Sequence, residues 1–326
     1  MNDQVNTLYQ LEEVELWAYY LIVLYKHLIM CNYKTKYDFK EQIVDKYGSK
    51  IYSRRIKHKN DNKNKKAFIF LTGGSKFELS YYLQKFLDYL IDEYDIDKKY
   101  DIYVYENLKT LNGCVIKHKL ISKWIQNDRR LINVEEIVLV GWSNGGVCGS
   151  HVLTDLCDIP MYQNKVLRLI TIDTIIHFLE WYNDMKHMKT YRQDILTCFL
   201  ITYLNSIKHS HKNASILDIF LLNDITYYFK RVYGLTTSQL KRCSTINMKF
   251  LRNKNNKLDN IFSSNDPIIK RYENNKMYEQ LMKRSENNDI DKGKITFHEF
   301  SSVAHNSQVA LNKECESFCR LFYNLL

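Results

Sequence analysis

One stretch of this chain, residues 137–149, decides its fold. It reads Ile137-Val138-Leu139-Val140-Gly141-Trp142-Ser143-Asn144-Gly145-Gly146-Val147-Cys148-Gly149. The uninterrupted apolar run at its start is typical of a central parallel strand that is buried on both faces. Small residues follow, and then Val147, Val152, Leu153 and Leu156 recur at roughly helical spacing. The stretch therefore predicts a strand, a sharp turn and a helix.

The turn contains the pattern Gly-x-Ser-x-Gly, with Ser143 between Gly141 and Gly145. In a nucleophile elbow such a turn lifts a serine hydroxyl above the edge of a sheet and strains its backbone, so the two flanking positions must be small. The bare pattern also occurs by chance, but here it has the strand and the helix that an elbow requires. Of ten glycines in the chain, four lie between residues 141 and 149. The alternative interpretation is a strand–helix turn that needs glycine only for packing.

Composition narrows the class of protein. A chain of 326 residues with 45% hydrophobic content can form one large α/β domain, with or without an inserted cap. The net charge of +10 accompanies many Asn, Lys, Ile and Tyr residues, as AT-rich coding produces, so no nucleic-acid partner is expected. None of the eight cysteines forms a Cys-x-x-Cys pair or a zinc-like cluster. We therefore expect reduced thiols, no metal, and an intracellular, cytoplasmic location.

The pattern divides the chain into four parts. Residues 1–65 are predicted to be an N-terminal helical segment and a basic linker, with helices over 7–31 and 37–47. Residues 66–173 and 251–326 are predicted to form the two halves of an α/β core, and 174–250 an inserted, unusually aromatic helical cap. Residues 16–30 are apolar but too short for a confident membrane span. They are interpreted as a buried or docking helix, with peripheral membrane contact as the alternative.

Strands alternate with helix-length segments through the core, which predicts a mostly parallel sheet flanked by helices. The strands are expected at 67–71, 101–105, 137–140, 165–173, 258–262 and 294–300.

A serine nucleophile needs a base within hydrogen-bond reach, and the base needs an acid that fixes its tautomer. Asp266 follows a late predicted strand and His305 follows the last one, in the chain order Ser, Asp, His of this architecture. Both should therefore emerge at the carboxyl edge of the sheet, where Ser143 lies. Asp173, which also ends a strand, is the competing acid. Asp266 is preferred because an Asn-Asp-Pro turn after a strand projects the carboxylate upward.

A second glycine-rich turn, Thr72-Gly73-Gly74-Ser75, follows the first core strand. In serine hydrolases such a turn supplies one backbone N–H of the oxyanion hole, and glycine lets the backbone itself approach the substrate oxygen. The alternative is an ordinary strand-to-helix turn.

From about residue 66 to its end, the chain resembles the α/β-hydrolase superfamily. The residues that carry the resemblance are Gly141 to Gly146, the Asn265-Asp266-Pro267 turn and the loop of His305. Within the superfamily it is similar to the branch typified by transmembrane protein 53, through Ser143 to Val147, Ser263 to Asp266 and Ser301 to His305.

The resemblance implies Ser143 as nucleophile, Asp266 as acid and His305 as base. It also implies oxyanion donors from the backbone of Asn144 and of the Gly73–Gly74 turn. Thr72 stands where a His-Gly motif is common, which leaves the second donor open. Ala304 replaces the glycine that usually precedes the catalytic histidine.

The expected activity is cofactor-independent cleavage of a carboxylic ester or thioester with a small-molecule or lipid-like acyl group. A peptidase or an acyltransferase would use the same three residues. The alternative from another class is a non-catalytic protein of hydrolase fold that binds a membrane or a protein partner.

Overall fold

The computed structural model describes residues 34–45, 49–55, 66–71, 81–106, 113–142, 144–174, 245–263, 274–287, 289–300 and 312–326. These residues form an eight-stranded sheet with helices on both faces. The strands are β1 (Lys40–Ile43), β2 (Lys50–Arg54), β3 (Lys66–Leu71), β4 (Asp101–Glu106), β5 (Glu136–Trp142), β6 (Val166–Ile172), β7 (Lys257–Ser263) and β8 (Ile295–Phe300).

The described helices are α1 (Tyr81–Tyr94), α2 (Ile96–Lys99), α3 (Gly113–Asn127), α4 (Arg129–Ile132), α5 (Asn144–Cys157), α6 (Asn274–Asn287) and α7 (Asn312–Leu325). Short 3-10 turns lie at Pro160–Tyr162, Lys249–Arg252 and Lys292–Lys294.

The sheet has the strand order β1-β2-β4-β3-β5-β6-β7-β8. From β4 to β8 all neighbours are parallel, while β1 and β2 are antiparallel additions at one edge. This arrangement confirms the predicted mostly parallel α/β sheet. It also places the carboxyl ends of β3 to β8 along one edge of the sheet.

The expected helix over residues 37–47 is wrong. Lys40–Ile43 is β1, paired with β2 from Lys40 opposite Ser53 to Ile43 opposite Lys50. All four residues of β1 are exposed, so no apolar periodicity marks the segment as a strand, and pairing with β2 decides its structure. The sheet therefore begins at Lys40, inside the part of the chain expected to be helix and linker.

Alternating residues of the central strands build two separate cores. On β5, Ile137 and Leu139 face the layer of α3, α5 and α6. Val138, Val140 and Trp142 face the layer of α1 and α7. Each strand is thus apolar on both sides, as expected of a parallel sheet covered by helices on both faces.

Aromatic rings fasten α1 and α7 to the sheet. Phe86 of α1 and Phe322 of α7 meet edge to face with centroids 5.1 Å apart, and Phe322 contacts Phe68 of β3 at 5.9 Å. Phe318 lies 5.6 Å from Phe86. Such pairs each add roughly 0.5–1.5 kcal/mol beyond the area that they bury.

The segment before β1, residues 35–37, is hydrogen-bonded along α1. The backbone N–H of Thr35 donates to Gln84 Oε1 at 2.7 Å, and that of Lys36 donates to Asp88 Oδ2 at 3.1 Å. Tyr37 donates its hydroxyl to Asp92. Residues 35, 36 and 37 bond to successive turns of α1, so this segment runs in the same direction as the helix. Residue 35 therefore lies near the start of α1, on the side of the carboxyl edge.

Charged side chains cross the amino edge of the sheet on the α7 face, in a row that we call the amino-edge ladder. Lys66 Nζ lies 2.7 Å from Glu136 Oε2, and Arg168 lies 3.8 Å from the other Glu136 oxygen. Arg168 also contacts Asp259 Oδ2 at 3.2 Å, and Thr296 donates its hydroxyl to Asp259. The ladder joins β3, β5, β6, β7 and β8.

The end of α7 docks on the amino-edge ladder. Arg168 donates to the backbone oxygen of Leu326 at 3.0 Å and to the carbonyl oxygen of Leu325. The Tyr100 hydroxyl donates to the same Leu326 oxygen at 3.1 Å. Arg168 thus pairs with the carboxylates of Glu136 and Asp259 and also donates to the backbone oxygens at the end of α7.

We predict that Arg168→Met lowers the free energy of unfolding by about 3–5 kcal/mol, because it leaves the buried carboxylate of Asp259 without its arginine partner. Urea unfolding followed by circular dichroism measures the loss. Lys66→Met is the matched control, since the Lys66 side chain is 48% exposed and its pair should contribute about 1 kcal/mol or less. Equal losses of unfolding free energy in the two variants would contradict the larger contribution of Arg168 to the amino-edge ladder.

Candidate active site

The turn between β5 and α5 is as tight as the Gly-x-Ser-x-Gly pattern requires. A Cβ added to Gly141 would lie 2.3 Å from the backbone nitrogen of Gly146 and 2.4 Å from the carbonyl carbon of Gly145. A Cβ on Gly145 would lie 2.6 Å from the carbonyl oxygen of Leu71, the last residue of β3. Atoms of the backbone cannot yield as side chains do, so both positions require glycine.

The next glycines let α5 lie against β6. A Cβ on Gly146 would meet Thr174 Oγ1 at 2.2 Å and Thr171 Cγ2 at 2.9 Å. One on Gly149 would meet Leu169 Cδ1 at 2.8 Å. The two threonines were not predicted to take part. They carry no signal in the sequence, because only the fold brings them under the helix.

Thr174 is held in place by the backbone around the turn. Its hydroxyl lies 3.4 Å from the carbonyl oxygens of both Gly141 and Ile172. Asp173, the competing acid, is fully buried, has a left-handed φ of 47°, and donates its backbone N–H to the Ile261 carbonyl at 2.9 Å. A non-glycine residue in that conformation is uncommon, and the bond to β7 fixes it at the end of β6.

Asn144 is the first residue of α5, as an oxyanion donor from its backbone would require. The first turn of this helix contains no acidic residue, so no side chain of that turn neutralises the positive end of the helix dipole. The first N–H groups of any helix lack partners within the helix. This end of α5 is therefore suited to a developing negative charge.

Most of the predicted site lies outside the residues that the structure describes. This holds for Ser143, Asp266 and His305, for Gly73 and Gly74, and for 175–244 of the expected cap. The described strands show only where the chain leads into them. β5 ends one residue before Ser143, β7 ends three before Asp266, β8 ends five before His305, and β3 ends two before Gly73. All four strands are parallel and end at the same edge.

Two described histidines, His298 and His151, lie away from the carboxyl ends of the strands. His298 lies within β8, with Nε2 3.0 Å from Thr296 Oγ1. His151 lies on α5 and bonds to the carbonyl oxygen of Thr245 at 3.1 Å.

The described thiols Cys148, Cys157 and Cys319 are outside disulfides, and burial raises the pKa of Cys157 to about 11, opposed by a hydrogen bond from Asn256. In the described part of the chain, no cluster of three or more His, Cys, Asp or Glu side chains is arranged to hold a metal ion.

The described helices include none that is long and apolar enough to cross a membrane. The apolar run 16–30 lies outside those helices.

We predict that Gly141→Ala lowers the free energy of unfolding by about 1–3 kcal/mol or more, because the methyl group collides with backbone atoms. The measurement is the urea midpoint of the purified variant. Gly293→Ala is the control, since there the nearest atom is Asp291 Oδ1 at 3.3 Å. It should stay within about 0.5 kcal/mol of the parent. A Gly141 variant as stable as the Gly293 variant would contradict the tight turn.

No protein-family model matches this sequence, and no curated protein matches it by sequence. Solved structures do match the fold. An inhibited form of esterase B from Lactobacillus rhamnosis aligns with 95% of this chain and 94% of its own, at a TM-score of 0.55 and 10% identity. An esterase from Pyrococcus furiosus aligns with 90% of this chain and 94% of its own, at 0.50 and 12% identity.

A further match is the acylaminoacyl peptidase of Pyrococcus horikoshii, with a TM-score of 0.52 and 15% identity over 92% of this chain and 42% of that protein. At sequence identities of 10%, 12% and 15%, the likeness to these three structures shows the fold alone. With the strand order and the glycine-bound β5–α5 turn, it shows that the chain has the α/β-hydrolase fold. The finer likeness to the transmembrane protein 53 branch stays a prediction.

Proposed function

We propose that this protein, which has the α/β-hydrolase fold, is a serine hydrolase that cleaves a carboxylic ester or thioester. The observation that carries the proposal is the β5–α5 turn. Its flanking glycines admit the backbone of α5 to within 2.3 Å of where a Cβ on Gly141 would lie. A turn of this tightness is costly to build, and β5, which leads into it, ends at the carboxyl edge of the sheet, where a nucleophile elbow holds its serine.

In the proposed mechanism the Ser143 hydroxyl oxygen attacks the carbonyl carbon of the substrate while His305 accepts its proton. Asp266 orients the imidazole and stabilises the imidazolium. The backbone N–H of Asn144 at the start of α5 and one from the Gly73–Gly74 turn donate to the oxyanion. His305 then protonates the leaving alcohol or thiol, and water hydrolyses the acyl-enzyme by the same steps. No cofactor takes part.

The substrate is proposed to be a small-molecule or lipid-like acyl compound. The aromatic, apolar composition of residues 174–250 supports an apolar acyl group, since ligand pockets are lined mainly by such side chains. The folds compared above occur in esterases and in a peptidase, so the fold by itself does not choose between ester and amide. Peripheral contact of residues 16–30 with a membrane is the second proposal for substrate access.

We predict that a fluorophosphonate probe labels the native protein and that Ser143→Ala abolishes the labelling. Hydrolysis of p-nitrophenyl esters by this variant should fall by at least about a thousandfold, because the nucleophile is lost. Ser285→Ala is the control, since Ser285 is a buried serine of α6 that donates to the Met282 carbonyl. Labelling that survives in the Ser143 variant would refute this nucleophile. A folded native protein that never labels would favour the non-catalytic binding protein.

The acid is tested by comparing Asp266→Asn with Asp173→Asn. The true acid should lose about 10⁴-fold in kcat when changed to Asn, because the histidine then adopts the wrong tautomer. We expect this loss for Asp266. For Asp173, which is buried at the end of β6, we expect a loss of stability and a much smaller loss in kcat. A large loss in kcat for Asp173→Asn with a small one for Asp266→Asn would identify Asp173 as the acid.

A further inference from the structure

Thr174 follows the end of β6 by two residues and is buried against the turn between β5 and α5, with 1% of its surface exposed. Its hydroxyl lies 3.4 Å from the carbonyl oxygen of Gly141, in the strand that enters the turn. A Cβ added to Gly146 would collide with Thr174 Oγ1 and lie 2.9 Å from Thr174 Cγ2, so the side chain also lies against the helix that leaves the turn. One side chain thus contacts both arms of the turn around residue 143.

The backbone just before Thr174 has an unusual conformation. Asp173 has a left-handed φ of 47°, directly after the extended residues of β6. Its N–H donates to the carbonyl oxygen of Ile261 at 2.9 Å, which attaches Asp173 to β7. Left-handed backbone is uncommon for a residue other than glycine. The fold therefore maintains a rare geometry at the residue that delivers Thr174 to the turn.

A second threonine supports the same part of α5. Thr171 Cγ2 would lie 2.9 Å from a Cβ on Gly146, and the Thr171 hydroxyl donates to Asn260 Oδ1 on β7. Thr171 and Asn260 are 0% and 1% exposed. A β-branched side chain is stiff about χ1, and the bond to Asn260 restricts it further. Gly146 thus packs on two threonines, and Thr174 is the one that also contacts Gly141.

We infer that Thr174 is a positioning residue for the candidate nucleophile, because it holds Gly141 and Gly146 at the separation that a nucleophile elbow needs. The inference rests on the proposed function, which assigns Ser143 as that nucleophile. Gly141 lies two residues before Ser143 and Gly146 three after it. A side chain that contacts both limits the strained backbone between them. Misplacing a reacting group by about 1 Å can lower a rate about a hundredfold.

A second buried threonine on the elbow helix provides a matched control. Thr154 is 7% exposed, and its hydroxyl donates to the carbonyl oxygen of Ser150 at 2.9 Å, within α5. It lies well beyond the first turn of the helix, and its bond joins two residues of α5 rather than the two arms of the β5–α5 turn. Replacing Thr154 therefore removes the same atoms as replacing Thr174 without removing a support of the turn.

The first test compares Thr174→Ala with Thr154→Ala in the full chain. Both changes remove a buried hydroxyl and a methyl group, so both should lower the urea midpoint. In Thr174→Ala we expect the rate of labelling by a fluorophosphonate probe, and kcat with p-nitrophenyl butyrate, to fall about tenfold or more, because the nucleophile is misplaced. KM should stay within about threefold, since the substrate contacts remain. Thr154→Ala should keep the rates of the parent.

Thr174→Ser is the conservative variant. Serine keeps the oxygen that lies between Gly141 and Gly146 and loses only the methyl group, so it should recover most of the lost rate. If Thr174→Ala does not fold, Thr174→Val takes its place, because valine keeps the branched shape and removes the hydroxyl. We expect the valine variant to lose rate and the serine variant to retain it.

A second measurement does not depend on catalysis. Cys148 on α5 is 1% exposed and lies outside disulfides, so its thiol reacts with iodoacetamide when the start of the helix opens. We expect Thr174→Ala to speed the alkylation of Cys148 about tenfold, read by mass spectrometry of its peptide. Cys319 on α7, which is 0% exposed, is the internal control and should keep its rate.

Equal rates of probe labelling in the two alanine variants would overturn the positioning role of Thr174. Unchanged alkylation of Cys148 in Thr174→Ala would overturn it as well, and so would an equal increase at Cys319, which indicates global unfolding. Native protein that never labels with the probe would refute the proposed function. The alkylation of Cys148 would then still decide whether Thr174 holds the turn.

Discussion

The close approach of α5 to the ends of three parallel strands is the constraint on which the rest of this fold depends. The helix touches β3 through Gly145, whose added Cβ would lie 2.6 Å from the Leu71 carbonyl, and β6 through Gly149, 2.8 Å from Leu169 Cδ1. The contact of Gly145 is with backbone, which cannot yield, so the position of α5 against β3 is set by the backbone itself; at Gly149 the neighbour is the end of a leucine side chain, which can shift. The end of β5 and the start of α5, on either side of residue 143, are therefore fixed relative to each other.

The two edges of the parallel sheet differ in how their charges are used. At the amino edge, Arg168 binds Asp259 at 3.2 Å and the backbone oxygen of Leu326 at 3.0 Å, and Lys66 binds Glu136 at 2.7 Å. Ionisable groups that are satisfied within the fold stabilise it and are poorly placed to exchange protons with a substrate. The carboxyl edge instead receives the start of α5, with no acidic residue in its first turn. The proposed oxyanion site is assigned to that edge.

The sequence is informative where structure is decided locally. The run from Ile137 to Gly149 predicts β5, the turn and α5 because hydrophobicity, glycine spacing and helical periodicity agree within a few residues. By contrast, β1 was expected to be helical. Its four exposed residues, Lys40–Ile43, become a strand only through β2, which is itself held by β4. No local pattern could show that pairing.

Two other features escaped prediction for related reasons. Helix α6 was not predicted because its sequence is mostly polar, and Leu281 and Ser285 are the buried positions among its described side chains. Arg168 looks like a polar interruption of an apolar strand until β5, β7 and the end of α7 are placed around it. For the candidate site, the chain order and the strand ends were predictable. That Ser143, Asp266 and His305 converge stays a prediction, because it depends on loop geometry, which sequence patterns do not determine.

The first turn of α5 and the turn that contains Ser150 and His151 both contact other parts of the chain. The start of the helix is wedged against Leu71 and Thr174 by the glycines, and two turns later Ser150 and His151 hold residues 245–247. A helix of 14 residues with its backbone bonds intact transmits a tilt from one turn to the next. Residues 245–247 therefore cannot separate from α5 without breaking their bonds to Ser150 and His151. While those bonds hold, the same helix fixes both the Ser143 turn and the position from which the returning chain enters β7.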